Sequence, residues 1–255
     1  MTRLVSIHRY PVKGLSSNEL SEIDLVPGQG IAFDRAYALA HGDTEFDPQK
    51  PEHMSKTKFL MLMKDAKLAH LGTAFFEEEE RLVLEKDGMV VLDARLREAE
   101  DQARINKFFE DYMEGKTRGG VRVVMAPGHS FTDIAANNLS LINLDSVRDF
   151  EEKSGLTVDP IRFRGNLYVE GLGAWKEFDM VDREFTIGSV RFRGAKRTDR
   201  CAATNVNPST AEMDMNIPLQ LRKTYGHFDM GIYVDVLEAG TLRKGDELVD
   251  QALYI

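Results

Sequence analysis

The chain carries one cysteine, Cys201, among its 255 residues. A single thiol forms no internal disulfide, which excludes the disulfide-framed folds of small secreted proteins. It also excludes zinc sites built on several thiolates and iron–sulfur clusters held by cysteine alone. A chain of this length instead buries enough apolar surface to fold around its own core, as one large domain or two small ones. Any chemical role of Cys201 is therefore that of a single thiolate: a nucleophile, a sulfur carrier or one bond to a metal.

The charge balance limits the partners of the chain, whose formal net charge is −9 at pH 7. Because binding of duplex nucleic acid depends on phosphate neutralisation by Lys and Arg, we expect no nucleic-acid partner. No stretch of about 18 apolar residues is present, so we expect no membrane insertion. The first residues lack the apolar segment of a secretory signal. These features predict a soluble, cytoplasmic protein.

Alternating and bounded apolar segments predict a mainly β chain with a few helices packed on it. The expected strands lie at 4–9, 23–26, 36–40, 82–84, 89–92, 121–125, 167–169, 185–187, 190–192 and 232–237. Helices are expected at about 98–114, at 143–153 with Asn143 or Asp145 as N-cap, and from Pro218 to Lys223. The glycine-rich segment 115–120 predicts a linker between a domain at 1–115 and a second domain at 116–255.

The residues before Cys201 are strongly cationic: Arg193, Lys196, Arg197 and Arg200 all precede the thiol closely. In an exposed loop such cations favour the thiolate and lower the pKa of the cysteine. The alternative is a cysteine that packs as a small apolar side chain in the core. The polar neighbourhood argues against deep burial, because arginine is rarely buried without a partner.

Two further segments carry residue types that suit an anionic ligand. If 162–166 is extended, Arg162 and Arg164 point to the same side and, with the Asn166 amide, suit a planar polar ligand or a phosphate. A surface strand with arginine–carboxylate pairs is an equal alternative. At Lys13–Gly14, a glycine in a turn leaves backbone N–H groups free to approach an anion.

The histidines and the polar loop offer weaker signals. His227 is more simply explained as a hydrogen-bonded structural residue than as a catalyst, and no histidine has the spacing of a metal-binding motif. Residues 41–58 are polar and predict a long loop, in which Asp47, His53 and Lys56 are candidates to face a substrate. Phosphate-binding and nucleophile-elbow glycine motifs do not occur in the sequence.

Taken in order, these segments resemble a known two-domain family. Residues 10–15 (YPVKGL) and 33–35 (FDR) resemble the N-terminal β-barrel domain that precedes MOSC domains. The MOSC domain itself is named for the C-terminal domain of molybdenum cofactor sulfurase. Three later segments resemble it: 162–167 (RFRGNL), 200–208 (RCAATNVNP) and 226–233 (GHFDMGIY). The resemblance covers nearly the whole chain. The two-domain layout is similar to that of the mitochondrial amidoxime-reducing component and its bacterial relatives.

This resemblance implies a mainly β fold with α+β elements, in which an N-terminal β-barrel-like domain precedes a MOSC β-barrel domain with a few packed helices. It implies a molybdenum cofactor (Mo-molybdopterin) whose metal is ligated by Cys201. The positions that correspond to cofactor contacts are Lys13, Gly14, Arg35, Asn143, Arg164, Asn166 and Arg200. Gly14 stands where some relatives have a hydroxyl residue. Asp199 and His227 are candidates to relay protons.

The activity that the resemblance implies is reduction of N-hydroxylated substrates such as amidoximes, hydroxylamines and N-hydroxylated bases. A single cysteine cannot hold an iron–sulfur cluster, and the sequence contains no haem-attachment motif. Electrons are therefore expected from a separate donor protein or reductase. At the level of the family, binding of pyridoxal phosphate is also implied. The main alternative is a sulfur carrier or cofactor-binding protein that uses a Cys201 persulfide. A third possibility is a relative that keeps the fold around an empty pocket.

Overall fold

The computed structural model describes residues 1–134 and 136–250, and these form a mainly β fold, as predicted. The strands are β1 (Arg3–Arg9), β2 (Asn18–Leu20), β3 (Glu22–Leu25), β4 (Tyr37–His41), β5 (Gly72–Phe76), β6 (Arg81–Lys86), β7 (Met89–Arg95), β8 (Val121–Met125), β9 (Leu139–Asn143), β10 (Leu167–Glu170), β11 (Glu184–Ile187), β12 (Val190–Asp199), β13 (Asp229–Glu238), β14 (Gly240–Arg243) and β15 (Leu248–Val249). The α-helices are α1 (Ala99–Met113), α2 (Leu144–Ser154) and α3 (Ile217–Tyr225). Short 3₁₀ turns lie at Lys56–Lys58, Ala66–His70, Pro160–Phe163, Lys176–Met180 and Ala202–Asn205.

The largest sheet joins strands from both ends of the chain. Its eight strands lie in the order β15-β11-β12-β13-β9-β10-β1-β2, with β9 and β10 parallel and the other neighbours antiparallel. In addition, β3 pairs with β14. The pairing of β1 and β3 with later strands therefore crosses the domain boundary expected at 115/116, and that boundary stays a prediction.

The core of this sheet follows from the alternation of its side chains. In β12, Val190 and Phe192 are fully buried, whereas Arg191 and Arg193 between them are exposed. The rings of Phe185 and Phe192 stack on neighbouring strands with their centroids 5.7 Å apart. Period-2 alternation is the pattern of a sheet with one face on the core, which is what the sequence predicts here.

A second body of structure packs the sheet β5-β6-β7 and the pair β4-β8 around α1. The apolar stripe of α1 faces this core, where Ile105, Phe109 and Met113 are fully buried. Phe108 and Tyr112 flank the stripe with stacked rings. This confirms the predicted helix, whose stripe serves packing.

The ends of α2 were also predicted correctly. The side chain of Asn143 accepts a hydrogen bond from the N–H of Asp145 and caps α2. Gly155 ends the helix with φ = 71°, a left-handed conformation that glycine adopts without strain. Asn216 caps α3, which begins at Ile217, one residue before the expected start, and ends at Tyr225 instead of Lys223.

Two sequence predictions were wrong or incomplete. The segment 162–166 is not extended: Pro160–Phe163 form a 3₁₀ turn capped by Asp159, and Arg164 has φ = 52°. Both arginines line one pocket, but Arg162 pairs with Asp214 (2.8 Å), whereas Arg164 donates to the carbonyl of Leu15 (2.9 Å). The five strands β2, β5, β9, β14 and β15 were not predicted, because each has at most five residues and, for β14 and β15, the pairing partner lies far away in sequence.

Candidate functional site

One pocket collects residues that are distant in sequence. It lies between the turn after β1, the loop before β4, the turn after Pro160–Phe163 and the end of β12. Ten residues that the sequence analysis proposed line it: Lys13, Gly14, Arg35, Lys56, Arg162, Arg164, Asn166, Asp199, Arg200 and Cys201. Residues from both halves of the chain therefore line this pocket.

Cys201 lies on the pocket wall directly after β12. The residue is half-buried, so it is neither a core cysteine nor a fully exposed one. Its carbonyl accepts hydrogen bonds from the N–H (3.1 Å) and the Oγ1 (2.9 Å) of Thr204. These bonds form the turn Ala202–Asn205, which holds the thiol in one position at the end of a strand.

Arg200 fixes the backbone beside the cysteine. Its Nε donates to the carbonyl of Met230 (2.8 Å) and its Nη1 to the carbonyl of Phe163 (2.8 Å). Burial lowers the pKa of this guanidinium. Arg200 therefore lines the pocket while its donors hold β13 and the 160–163 turn around Cys201.

Arg35 and Arg164 lie against the same ring. Their Cζ atoms are 4.4 and 4.3 Å from the centroid of the Tyr10 ring, and Nη2 of Arg35 donates to the carbonyl of Arg164 (3.0 Å). Burial lowers the pKa of Arg164, and Arg35 lowers it further. Burial also acts to lower the pKa of Arg35, but Asp34 and Tyr10 outweigh it and raise that pKa. Two cations are thus preorganised side by side.

Lys13 shares its corner of the pocket with an acidic residue that the sequence analysis missed. Its Nζ donates to Oδ1 of Asp133 (2.5 Å) and to the carbonyl of Phe131 (2.9 Å), while Lys56 lies 3.8 Å from the other oxygen of Asp133. Burial lowers the pKa of Lys13, against the opposing effect of Asp133. Burial acts to raise the pKa of Asp133, but Lys13 and Lys56 outweigh it, so the pKa of this carboxyl is lowered. No local signal links residues 120 positions apart, so only the structure shows this pair.

Gly14 occupies a restricted position beside Lys13. Its φ is +88°, and a Cβ at this residue would lie 3.2 Å from the carbonyl oxygen of Leu60. A side chain would therefore be strained in this backbone conformation. The loss of a hydroxyl at this position agrees with the local geometry.

The wall between the cations and the cysteine contains unused polar groups. Asn166 donates to the carbonyl of His8 (3.1 Å) and accepts from the N–H of Ser140 (3.1 Å), so its amide braces the strands. By contrast, Oγ of Ser140 and Oγ1 of Thr198 are buried in the pocket wall without a hydrogen-bond partner among the described residues. Buried hydroxyls are normally hydrogen-bonded, so these two point to a polar ligand.

Two proposed residues are placed elsewhere by the structure. Asn143 is fully buried and donates to the carbonyl of Gly173 and to Glu177, both at 2.8 Å. His227 packs against the rings of Trp175, Phe178 and Tyr225, and its Nδ1 accepts from the N–H of Asp229 (3.1 Å). Burial lowers the pKa of His227. Neither side chain is part of the pocket lining.

The candidate residues of the long loop 41–58 also lie in two separate places. Lys56 reaches the pocket, whereas Asp47 and His53 line a separate hollow around Arg122. Other lining residues that sequence reasoning missed include the apolar run Met61–Met63 and Tyr233. Tyr233 lies inside the motif 226–233, so that motif was the available signal, while the apolar run resembles ordinary core sequence.

The residues of this pocket fit a sulfur-ligated, anionic and planar group. Cys201 offers one soft ligand, which suits a metal held mainly by sulfur. Lys13, Arg35 and Arg164 offer positive charge, and the free hydroxyls of Ser140 and Thr198 offer hydrogen bonds. Among residues 1–134 and 136–250, no three His, Cys, Asp or Glu side chains converge as a metal-ligand set. No helix within the same ranges is long and apolar enough to cross a membrane.

Comparison with known proteins agrees with this fold. Residues 1–126 match the MOSC N-terminal beta barrel domain and residues 93–249 match the MOSC domain. The chain therefore belongs to the MOSC domain family, as its motifs predict.

Its relatives include two kinds of protein. The chain is 25% identical over 244 residues to molybdenum cofactor sulfurase from Caenorhabditis briggsae, a match that covers 91% of this chain and 33% of that protein. It is 29% identical over 150 residues to mitochondrial amidoxime reducing component 2 from Macaca fascicularis, covering 54% of this chain and 44% of that protein. The human protein of that name is 36% identical over 96 residues, covering 33% and 28%. The chain thus spans less than half of each of these relatives.

Among solved structures, the YUAD protein from Bacillus subtilis covers 97% of this chain and 94% of its own length. The TM-score is 0.44 at 13% identity.

Proposed function

We propose that this protein is a molybdenum-cofactor-dependent reductase of N-hydroxylated compounds. The observation that carries the proposal is the placement of Cys201 in one pocket with Lys13, Arg35 and Arg164. These are the residue types that a thiolate-ligated metal with an anionic organic cofactor requires. When bound, that cofactor supplies a two-electron redox centre, while the protein orients it and sets its electrostatics.

The overall reaction defines what the protein must provide. The N–O bond of the substrate breaks, two electrons and two protons enter, and the oxygen leaves as water. Cys201 holds the metal, and Arg200 keeps the backbone of the cysteine in place through the carbonyls of Met230 and Phe163. Lys13, Arg35 and Arg164 hold the anionic part of the cofactor in the same pocket.

We assign the proton-relay role to Asp199. Its side chain lines the pocket two residues before Cys201, so it can hold a proton near the reacting atoms. His227 is the weaker candidate, because it lies among Trp175 and Phe178 outside the pocket lining. Substitution of Asp199 therefore affects the pH profile of the reaction more than substitution of His227.

Electrons come from a separate donor in this proposal. The chain has one cysteine, which serves as a metal ligand and leaves no thiol for an iron–sulfur cluster of its own. The relatives named amidoxime reducing component support this role. An N-hydroxylated substrate and an external redox protein are thus the partners that we propose.

The direct test is reduction of benzamidoxime by protein purified from a host that makes the molybdenum cofactor, with dithionite-reduced methyl viologen as chemical donor. We expect stoichiometric molybdenum and turnover in the wild type. Cys201→Ala should abolish turnover, since it removes the metal ligand. Cys201→Ser, which keeps the size of the side chain, serves as the second variant and should also lose at least about 99% of activity, or ~2.7 kcal/mol of barrier. Full activity in either variant with molybdenum still bound would refute the assignment.

The sulfur-carrier alternative is favoured by one specific observation. The molybdenum cofactor sulfurase relative matches 91% of this chain, and the half-buried thiol of Cys201 is accessible from the pocket. A carrier would hold a persulfide on this thiol. Metal-free protein with cyanide-labile sulfur that disappears in Cys201→Ala supports this function, whereas molybdenum and pterin fluorescence support the reductase.

A further inference from the structure

The cations of β12 fall into two groups that differ in their partners. Near the start of the strand, Arg191 and Arg193 both pair with Glu184. Further along, Lys196 and Arg197 are exposed and have no carboxylate within 4.0 Å among the residues that the structure describes. The same holds for Arg222 and Lys223 in α3. These cations lack carboxylate partners although the net charge of the chain is −9.

Aromatic rings link Arg197 with Arg222, which is followed in α3 by Lys223, into one surface. The Cζ of Arg197 lies 4.2 Å from the ring centroid of Phe178, and the Cζ of Arg222 lies 5.3 Å from that of Phe228. The rings of Phe178 and His227 are 5.6 Å apart, and Phe228 follows His227 in sequence. Phe228 is 38% exposed. We call this region the basic–aromatic surface: Phe178, Arg197, Arg222, Lys223 and Phe228.

This surface flanks the segment that carries Cys201. The N–H of Arg200 donates to the carbonyl of Phe228 (3.0 Å), and α3 packs against the turn that follows Cys201. On the other side, Nζ of Lys196 is 5.6 Å from the ring centroid of Tyr233, which lines the pocket. A protein docked here would therefore lie beside the proposed metal position.

The charges of the region favour an acidic partner. Two carboxylates, Asp199 and Asp229, lie at the adjoining ends of β12 and β13, so the three cations of the surface still outnumber them. Arginine and exposed aromatic side chains are enriched in protein interfaces, and unpaired charge at the rim accelerates association with an oppositely charged protein. Nucleic acid is disfavoured, because the rest of this acidic chain would repel its phosphates.

We propose that the basic–aromatic surface docks the external electron donor, a small redox protein with an acidic face. The inference rests on the proposed reductase function, in which each N–O bond reduced consumes two electrons. A one-electron carrier would therefore dock twice per turnover, donate one electron each time and dissociate in its oxidised form. Docking beside Cys201 keeps the path from donor to metal short, which electron transfer requires.

The test compares a protein donor with a chemical donor. The probes are an acidic [2Fe–2S] ferredoxin and dithionite-reduced methyl viologen, with benzamidoxime as substrate. The variants are Arg197→Glu and Arg222→Glu, neither of which lines the pocket, and the matched control is Lys116→Glu, an exposed and unpaired cation near the end of α1. We expect each surface variant to raise the KM for ferredoxin by about tenfold at low ionic strength. Viologen-driven turnover and the KM of the control should stay at the wild-type values.

The outcomes separate this inference from the proposed function. If viologen-driven turnover is absent in the wild type, the reductase proposal fails. If viologen drives turnover but ferredoxin is used equally well by the surface variants and the wild type, the docking inference fails. Binding of ferredoxin to the oxidised protein, followed by NMR, gives a readout that needs no turnover. Loss of anionic phospholipid vesicle binding in the variants, with ferredoxin binding unchanged, would also overturn it in favour of a membrane-facing surface.

Discussion

Charged side chains that line the pocket interact with one another as well as with any ligand bound there. Asp133 places a carboxylate between Lys13 and Lys56, where an anionic ligand would otherwise interact with both ammonium groups. Its side chain is 46% exposed, so the pair contributes little to folding stability. The more important consequence is competition for the positive charge of the pocket.

Asp133→Asn should therefore strengthen binding of inorganic phosphate. Removal of one negative charge at about 4 Å changes the interaction by ~1 kcal/mol in a solvent-like dielectric, or about fivefold in Kd. The measurement is a calorimetric phosphate titration of wild type and variant at low salt. Asp179→Asn, at an exposed carboxylate paired with Lys176 outside the pocket lining, is the matched control and should leave Kd unchanged. Equal phosphate affinity in Asp133→Asn and the wild type would contradict the competition.

At the scale of elements, a carboxylate connects three helical segments behind the pocket. Oδ2 of Asp149 in α2 accepts from Nε1 of Trp175 (2.7 Å), from the hydroxyl of Tyr225 (2.7 Å) and from Lys153 (3.0 Å). Burial acts to raise the pKa of Asp149, but these hydrogen bonds outweigh it and lower that pKa. The carboxylate thus ties α2 to α3 and to the turn Lys176–Met180.

Asp149→Asn should lower the free energy of unfolding by about 1–2 kcal/mol at pH 7, because hydrogen bonds to a charged acceptor are lost. The pKa is lower in the folded than in the unfolded protein. The stabilisation is therefore complete above the ordinary Asp pKa of about 3.9 and disappears as the pH falls through the folded-state value. Urea unfolding between pH 3 and 7 measures this difference, with the exposed Glu152→Gln as control. A difference between wild type and Asp149→Asn that does not shrink in acid would contradict it.

At the scale of the whole molecule, the main sheet makes the two ends of the chain interdependent. Leu4 and Ile7 of β1 and Leu25 of β3 share one core with Phe192 of β12 and Leu242 of β14. The strands that precede the 115–120 linker cannot bury this surface without those that follow it. We therefore expect one cooperative unfolding transition of the intact chain.

Fluorescence of Trp175, the only tryptophan, and far-UV circular dichroism should give coincident urea transitions. Ile7→Ala should move both to lower urea by the same amount, since it removes buried methyl groups at a cost of about 2–5 kcal/mol. Val26→Ala, at a side chain that is 45% exposed, is the control and should change little. Two separated transitions, or a shift in only one signal, would show that the halves fold independently.

The sequence by itself determined the mainly β class, the helix caps at Asn143 and Gly155, and the family, because these depend on local periodicity and on short motifs. Several motif residues, such as Lys13, Arg164 and Cys201, line one pocket, and their role in a cofactor site stays a prediction.

Only the tertiary structure decided which residues share the pocket. Asp133 joins Lys13 across 120 positions, and Asn143 turns away to cap a helix and bind Glu177. Pairing of β1 with β10 brings the two ends of the chain together. Motifs encode residue types and order, but contacts between distant segments arise from strand pairing and burial, which have no local signature.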